Sequence, residues 1–276
     1  MALLPPVTSL PTTSCITPLY IMAKNIATIL RVAGMAPVLG LLFAFSHKKE
    51  VPHTPFKYDH SKSLNKIPEP SDIVFDKETG HFFIVSDHGM LFECDLQGNV
   101  IRKAAEEGLD FEGVEVRDSF VYVSDETPRV IYKYRKSDLS FVKSYRVTWS
   151  GAANKAFESI TYNQTKKCFV LISEEPATII EYDDNFRETE RYPFRHTRDV
   201  SGARWYNGSM YIIGGKDATI FKCDPTAYEI QAYYKINVYN PEGLAFDASG
   251  NMTITSDDLQ RIYFFKELPT IKPTGK

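Results

Sequence analysis

Short apolar stretches recur along most of the chain, and each follows a turn that carries acidic or serine side chains. Equivalent strand positions are separated by 41, 46, 43 and 41 residues, which is about the length of one four-stranded propeller blade. Within the first repeat, turn residues divide the chain into four short strands that begin near residues 73, 82, 91 and 100. The spacing predicts an all-β, five-bladed β-propeller. The equivalent positions are Ile73, Val114, Ile160, Ala203 and Leu244.

The last repeat lacks a good outer strand, because Pro269 and Pro273 follow it and proline has no N–H to donate to a strand ladder. A ring of blades must close, since otherwise two sheets present open edges. The sequence therefore predicts that an N-terminal strand, residues 55–60, completes the last blade. The predicted divisions of this part of the chain are a linker at 47–54, the propeller at 55–268 and a disordered tail at 269–276.

The N-terminal segment at residues 22–46 differs in kind from the repeats. Its charge-free run of 14 residues from Val32 to Phe45 is shorter than the roughly 20 needed to cross a bilayer, and it resembles the apolar region of a secretory signal. Counting back through Arg31 lengthens the run, so a retained membrane anchor is an open alternative to a cleaved signal peptide. Both alternatives predict an extracytoplasmic propeller, periplasmic or in the cell envelope. Residues 1–21 are expected to be an artefact of start-site assignment or disordered.

Charge and cysteine content narrow the function classes. The formal net charge of −3 and the isoelectric point near 6.1 argue against a nucleic-acid partner, which normally requires a basic face. Three cysteines lie in the repeats, Cys94, Cys168 and Cys223, and Cys94 and Cys223 occupy matching positions of non-adjacent blades, too far apart to bond. We expect free, mostly buried thiols, and without a Cys/His ligand cluster zinc is not predicted.

A second acidic position recurs where the second strand of each repeat ends. In a propeller the first strand of each blade lines the central channel and the second runs back beside it, so the start of the first strand and the end of the second share one face. The sequence therefore predicts a crowd of carboxylates around one mouth of the channel. The predicted set is Asp72, Glu112, Glu158 and Glu242 before the first strands, and Asp87, Asp125, Glu174 and Asp257 after the second strands.

These carboxylates predict a bound cation. Two like charges 4 Å apart repel by about 4 kcal/mol at an effective dielectric constant of 20. Calcium tolerates irregular oxygen ligation better than magnesium does, so Ca²⁺ is the predicted cofactor. Glu112, Glu158 and Glu242 form the predicted core of the site, because glutamate is depleted in strands. The aspartates have an alternative interpretation as turn formers that accept hydrogen bonds from backbone amides.

Segments at the starts of the blades resemble a known family. DFEGVE (110–115), AFESI (156–160), DVSGA (199–203) and PEGLAFDASGN (241–251) are similar to the SdiA-regulated (YjiK-like, CarP-like) β-propellers, distant relatives of NHL-repeat propellers. The resemblance covers about residues 65–266. It implies a bacterial five-bladed propeller behind a signal or anchor, a calcium site, a link to calcium homeostasis and no established enzymatic activity. The chain departs from the family pattern at Ser159 and Gly215.

The leading hypothesis is a non-enzymatic, extracytoplasmic calcium-binding propeller that engages an envelope protein. The first alternative is a metal-dependent hydrolase of the lactonase or phosphotriesterase kind, for which His88 beside Asp87 is the candidate base. The chain has no GxSxG nucleophile elbow and no phosphate-binding glycine loop. The second alternative is an interaction scaffold that binds no metal.

Overall fold

The structure is a computed structural model that describes residues 53–149 and 155–269, and these fall within one compact unit. The described residues form strands and turns without a helix, so the all-β prediction is confirmed. The strands are β1 (His53–Phe56), β2 (His60–Ser63), β3 (Pro70–Asp76), β4 (His81–Ser86), β5 (Met90–Cys94), β6 (Val100–Lys103), β7 (Phe111–Arg117), β8 (Phe120–Asp125), β9 (Val130–Arg135), β10 (Phe141–Arg146), β11 (Phe157–Asn163), β12 (Cys168–Ser173), β13 (Thr178–Tyr182), β14 (Glu188–Pro193), β15 (Gly202–Tyr206), β16 (Ser209–Gly214), β17 (Thr219–Cys223), β18 (Ile230–Ile236), β19 (Pro241–Phe246), β20 (Asn251–Ser256) and β21 (Arg261–Glu267).

These strands form five small sheets, which confirms the five-bladed propeller. Their orders are β3-β4-β5-β6, β7-β8-β9-β10, β11-β12-β13-β14, β15-β16-β17-β18-β1 and β19-β20-β21-β2, which we call blades one to five. The first strands β3, β7, β11, β15 and β19 contact one another around the ring and are largely buried. The outer strands β10 and β14 are mostly exposed, including the apolar side chains of Phe141 and Val142 on β10.

The ring closes through the N-terminal part of the described chain. Strand β2 pairs antiparallel with β21, so that His60 lies opposite Phe264 and Ser63 opposite Arg261. The predicted closure is confirmed, but the closing strand lies further along the chain than residues 55–60. Strand β1 instead pairs parallel with β18 and adds a fifth strand to blade four. The reason is the aromatic ring of Phe56, which packs 5.1 Å from the ring of Phe265 in the apolar junction between blades four and five.

The core consists of five apolar clusters, one at each junction between neighbouring blades. Aromatic rings fill much of this space, for example Tyr206 stacked on Phe246 with centroids 4.2 Å apart. Cys94, Cys168 and Cys223 are buried and free, as predicted.

Glycine at the start of the inner strands permits close packing around the channel. A Cβ atom at Gly113 would lie 2.6 Å from the amide nitrogen of Ile160 in the next blade, and one at Gly243 would lie 2.6 Å from the amide nitrogen of Ile73. Both distances are shorter than a real Cβ contact. The glycine after Glu112 and Glu242 therefore lets each inner strand approach its neighbour.

The predicted signal or anchor at residues 22–46 lies outside the described residues. Within the part of the chain that the structure describes, no helix has the length and apolar character to cross a membrane.

Candidate functional site

The channel is crossed midway by the side chain of Arg204, which extends from β15 and is 4% exposed. Its guanidinium donates hydrogen bonds to backbone carbonyl oxygens of all four other blades. The acceptors are Ile73 at 2.9 Å, Val114 at 2.9 Å, Ile160 at 3.5 Å and Leu244 at 3.0 Å. These are the equivalent residues that define the repeat, so one arginine joins all five inner strands.

Two buried carboxylates neutralise this arginine. Arg204 Nη2 lies 3.0 Å from both oxygens of Asp72, and Arg204 Nη1 lies 3.1 Å from Glu115 Oε2. Asp72 also accepts a hydrogen bond from the amide of Val114 at 2.9 Å. Burial raises the pKa of Asp72 to about 7 and also raises the pKa of Glu115, whereas Arg204 lowers both. We call Arg204, Asp72 and Glu115 the arginine plug.

The place predicted for Asp72, at the channel mouth among the glutamates, is wrong. In the aligned repeats Ser71 is the residue equivalent to Glu112, and Asp72 occupies the position of Gly113. Asp72 therefore lies one residue deeper, where it meets Arg204. Ser71 lies at the mouth and donates a hydrogen bond to Asp87.

The other three glutamates lie together where the inner strands begin. Burial raises the pKa of Glu112 well above its usual range, and the negative charges of Glu158, Asp87, Asp110 and Glu242 raise it further. The pKa values of Glu158 and Glu242 are also raised well above their usual range, first by burial and then by neighbouring carboxylates. Glu112, Glu158 and Glu242 thus lie close enough for the charge of one to raise the pKa of another.

The four acidic residues after the second strands lie on the same face, with different partners. Asp125 is fully buried and accepts hydrogen bonds from the amides of Leu109 at 2.9 Å and Asp110 at 3.1 Å, which is the turn-forming role. Glu174 pairs with Lys155 at 2.6 Å. Asp257 accepts hydrogen bonds from Asn240 and Asp258, and Asp87 accepts one from Ser71. Burial raises the pKa of Asp87 to about 6 and also raises that of Asp257.

Two further acidic residues at this mouth escaped the sequence analysis. Carboxylate oxygens of Asp110, Glu112 and Glu126 lie within 4.8 Å of one another, close enough to share one metal ion. Glu126 is 4% exposed; it accepts a hydrogen bond from the amide of Ala156 at 2.6 Å and shares another with the carboxyl group of Glu158. The sequence contains an indication of this role for Glu126, because Glu126 directly follows Asp125, the acidic residue at the end of the second strand. We call Asp87, Asp110, Glu112, Glu126, Glu158, Glu242 and Asp257 the acidic mouth.

Blade four contributes a carboxylate through a different residue. Gly215 stands where the other blades have an acidic residue, and a Cβ atom there would lie 3.1 Å from Asp199 Oδ2 and from Ser201 Oγ. Asp199 Oδ2 accepts a hydrogen bond from the amide of Lys216 at 2.9 Å. Its other oxygen, Oδ1, is buried with no hydrogen-bond partner. Asp199 therefore fills the space left by Gly215 and raises the pKa of nearby Glu242.

The residues at the acidic mouth fit a hard divalent cation. Across residues 53–149 and 155–269, no lysine, arginine or histidine forms an ion pair with Asp110, Glu112, Glu126, Glu158 or Glu242. Carboxylate oxygens are the ligands that calcium prefers. His88, the candidate base, is half exposed and pairs with Glu69 at 3.0 Å.

A family profile and the structure of a glutaminyl cyclase agree with this fold. The sequence profile of the SdiA-regulated family matches residues 50–220, which is more than half of the chain. No curated protein matches the chain. The glutaminyl cyclase of Myxococcus xanthus has a similar structure, with a TM-score of 0.62 and 15% identity over 77% of this chain and 97% of that one. Virginiamycin B lyase of Staphylococcus aureus gives a TM-score of 0.46 and 11% identity over 72% of this chain and 66% of that one.

At such identities the likeness to the cyclase concerns the fold alone. The family match, in contrast, covers the blade starts of repeats one to four, including Glu112 and Glu158. The chain belongs to the SdiA-regulated family.

Proposed function

We propose that the protein is a non-enzymatic calcium-binding propeller and that the acidic mouth holds the ion. The observation that carries the proposal is the cluster of Asp110, Glu112 and Glu126, whose carboxylate oxygens lie within 4.8 Å of one another and pair with no cationic side chain of the described chain. Burial and the repulsion of neighbouring carboxylates raise the pKa values of Glu112 and Glu126, and a divalent cation offers a better neutralisation of these two groups than a proton does.

Glu158 extends this cluster toward blade three. It shares a hydrogen bond with Glu126, which requires that one of the two carboxyl groups carry a proton. A cation bound at Asp110, Glu112 and Glu126 would displace that proton and free an oxygen of Glu158 as an additional ligand. Calcium binding is therefore expected to release protons and to strengthen as the pH rises.

The same face offers a surface for a protein partner. Two large apolar side chains stand far out of the loops that lead into blades two and five: Leu109 is 68% exposed and Tyr239 is 67% exposed. Exposed apolar side chains such as Leu109 and Tyr239, next to the acidic mouth, are typical of a surface that binds a protein partner. We propose that an envelope protein binds here, with the propeller outside the cytoplasm as the sequence of residues 22–46 indicates.

Isothermal titration calorimetry of calcium into the purified full chain tests the ion site. We expect saturable binding at pH 7.5 that is at least tenfold weaker in the Glu112→Gln/Glu126→Gln double variant. Glu188→Gln/Glu190→Gln is the matched control, because both residues lie on the outer strand β14 and their loss removes the same two charges far from the mouth. The metal-free scaffold hypothesis predicts no binding at millimolar calcium, and that result would rule the proposal out.

A further inference from the structure

The far end of the channel, beyond the arginine plug, is hollow. Two adjoining cavities of about 310 and 440 Å³ lie there and share Glu115, Gln164 and Trp205 in their walls. They are bordered by the turns that follow the first strands, so they lie on the face opposite the acidic mouth. We call this space, lined by Lys77, Gln164, Lys167, Trp205, Tyr206 and Phe246, the rear cavity. Its size is within the range of small-molecule sites.

One wall of the rear cavity is aromatic. Trp205 borders both of its parts, and Tyr206 stacks on Phe246 with an angle of 13° between the ring planes. Tyr162 borders the second part beneath the guanidinium of Arg117, 4.1 Å from its ring centre. Flat aromatic surfaces of this kind favour a ligand with a ring or another apolar body.

The acidic side chains inside the rear cavity are already engaged. Asp76 and Glu78 both pair with Lys136, at 3.1 Å and 2.5 Å. Glu115 accepts hydrogen bonds from Arg204, Thr161 and the amide of Tyr162. Each of these carboxylates therefore already has a cationic partner inside the protein, which weakens its attraction for a cationic ligand.

Three hydrogen-bond donors of the rear cavity, in contrast, have no acceptor among the described residues: Lys77, Lys167 and Trp205. Lys77 and Lys167 are exposed and have no ion pair or hydrogen bond within the described part of the chain. The indole nitrogen of Trp205 is buried without an acceptor. Asp118 is the one acidic group with little engagement; its side chain is 80% exposed and lies 3.6 Å from Arg117. The polar groups without a partner, Lys77, Lys167 and the indole N–H of Trp205, are thus hydrogen-bond donors, which bind an anion.

We propose that the rear cavity is a second ligand site, which binds a small organic acid with an aromatic ring. The ring packs against Trp205 and Tyr206, and the carboxylate is held by Lys77 and Lys167. The arginine plug closes the channel between this site and the acidic mouth, so the two sites bind independently.

Tryptophan fluorescence tests the proposal, because the chain has two tryptophans. Trp149 lies in the core between blades two and three, so Trp149→Phe leaves Trp205 as the sole reporter. We expect phenylacetate to change the emission of this variant saturably, with half-saturation below about 1 mM, the weak end of specific binding. The uncharged analogue 2-phenylethanol should bind at least tenfold more weakly. An equal response to both compounds, or no saturable response to phenylacetate, would overturn the proposal.

Lysine variants identify the anion-binding groups. In the Trp149→Phe background, Lys77→Ala/Lys167→Ala should weaken phenylacetate binding at least tenfold, whereas Lys57→Ala, an exposed lysine near the edge strand β1, should leave it within twofold. An affinity for phenylacetate that is unchanged in the double lysine variant would contradict the proposal.

If Trp149→Phe does not fold, 5-fluorotryptophan in the unmutated chain gives the same readout by fluorine NMR, with the Trp205 signal assigned from Trp205→Phe. Calcium should leave the affinity within twofold, which separates this site from the acidic mouth.

Discussion

The arginine plug and the acidic mouth both bury carboxylates along one channel, but they neutralise them differently. At the plug, Asp72 and Glu115 meet the guanidinium of Arg204 and backbone amides at hydrogen-bond distance. At the mouth, Glu112 and Glu242 mainly face other carboxylates, and burial together with repulsion raises their pKa values well above the usual range. At the plug, Arg204 neutralises the carboxylates, whereas neutralisation of the carboxylates at the mouth requires protons or a bound ion.

This difference separates structure from function within one channel. A buried ion pair with complete hydrogen bonding holds the blades together, and removal of its cation leaves charges stranded in the interior. A cluster of unpaired carboxylates weakens the fold unless something binds there. The two regions should therefore respond in opposite directions to loss of charge.

The largest effect is expected from Arg204→Met. It removes the only cation that pairs with Asp72 and Glu115 in the described chain and the donor to carbonyls of four blades. Loss of one partner of a buried ion pair costs about 3–5 kcal/mol of unfolding free energy, measurable by urea denaturation. If the variant does not fold, Asp72→Asn gives a milder test with the same sign. An unfolding free energy equal to that of the parent would show that the plug does not join the blades.

At the mouth, the Glu112→Gln/Glu126→Gln double variant should behave in the opposite way. Without calcium, it should be at least as stable as the parent, because two repelling groups have been neutralised. With calcium at a hundred times its dissociation constant, the parent should gain about 2.7 kcal/mol and the variant little or nothing. The comparison is made by urea denaturation with EDTA and with calcium. Strong destabilisation of the calcium-free variant would mean that these glutamates are structural.

The pH dependence of stability follows from the raised pKa values. Burial raises the pKa of Asp87 and of Asp125 to about 6, compared with about 3.9 in an unfolded chain. Protonation of these two groups stabilises the fold fully below pH 3.9, and this contribution is lost as the pH rises through 6. Asp72, whose pKa is raised to about 7, acts in the same direction, so the calcium-free protein should lose about 2 kcal/mol or more of unfolding free energy between pH 5 and 7.5. Asp95 and Asp224 have lowered pKa values and act in the opposite direction, but below this window.

Calcium should remove the part of this pH profile that comes from the acidic mouth, including Asp87, because it replaces the protons there. The part that comes from Asp125 and Asp72, which lie outside the acidic mouth, should persist. Denaturation at pH 5, 6 and 7.5 with and without calcium gives the result directly. A calcium-free protein that becomes more stable from pH 5 to 7.5 would contradict the account of the mouth.

The smallest effect concerns Lys155, which pairs with Glu174 at the rim and lowers the pKa of nearby Glu158. Lys155→Met removes a positive charge that competes with calcium. A partly exposed pair of this kind contributes roughly 0.2–1 kcal/mol, so calcium affinity should rise by about 1.4-fold to fivefold. Calorimetry at low ionic strength gives the affinity. A weaker affinity in this variant would show that Lys155 supports the site instead of opposing it.

The sequence predicts much of this architecture because a propeller is a periodic object. The period sets five blades, and the alternation of strand direction places Glu112, Glu158 and Glu242 on one face. The sequence does not place residues that break the period. Asp72 differs from its neighbours by one position, Asp199 fills the space of Gly215 from another loop, and the role of Arg204 depends on contacts with all four other blades.

The closing strand illustrates the same limit. Closure follows from the open edges of an incomplete ring, but its register depends on where an aromatic side chain finds space. Phe56 packs at the junction between blades four and five, and this contact moves the closing strand to His60–Ser63. Side-chain packing between distant segments has no periodic signature in the sequence.

A crystal of the full chain grown with calcium would show directly whether the acidic mouth holds the ion. We expect an anomalous peak at the acidic mouth, with oxygens of Asp110, Glu112 and Glu126 at about 2.3–2.6 Å, the range of calcium–oxygen bonds. The Glu126–Glu158 hydrogen bond should be broken in that structure. A mouth without an ion at saturating calcium, with Glu126 and Glu158 still sharing a proton, would contradict the proposal that the acidic mouth binds calcium.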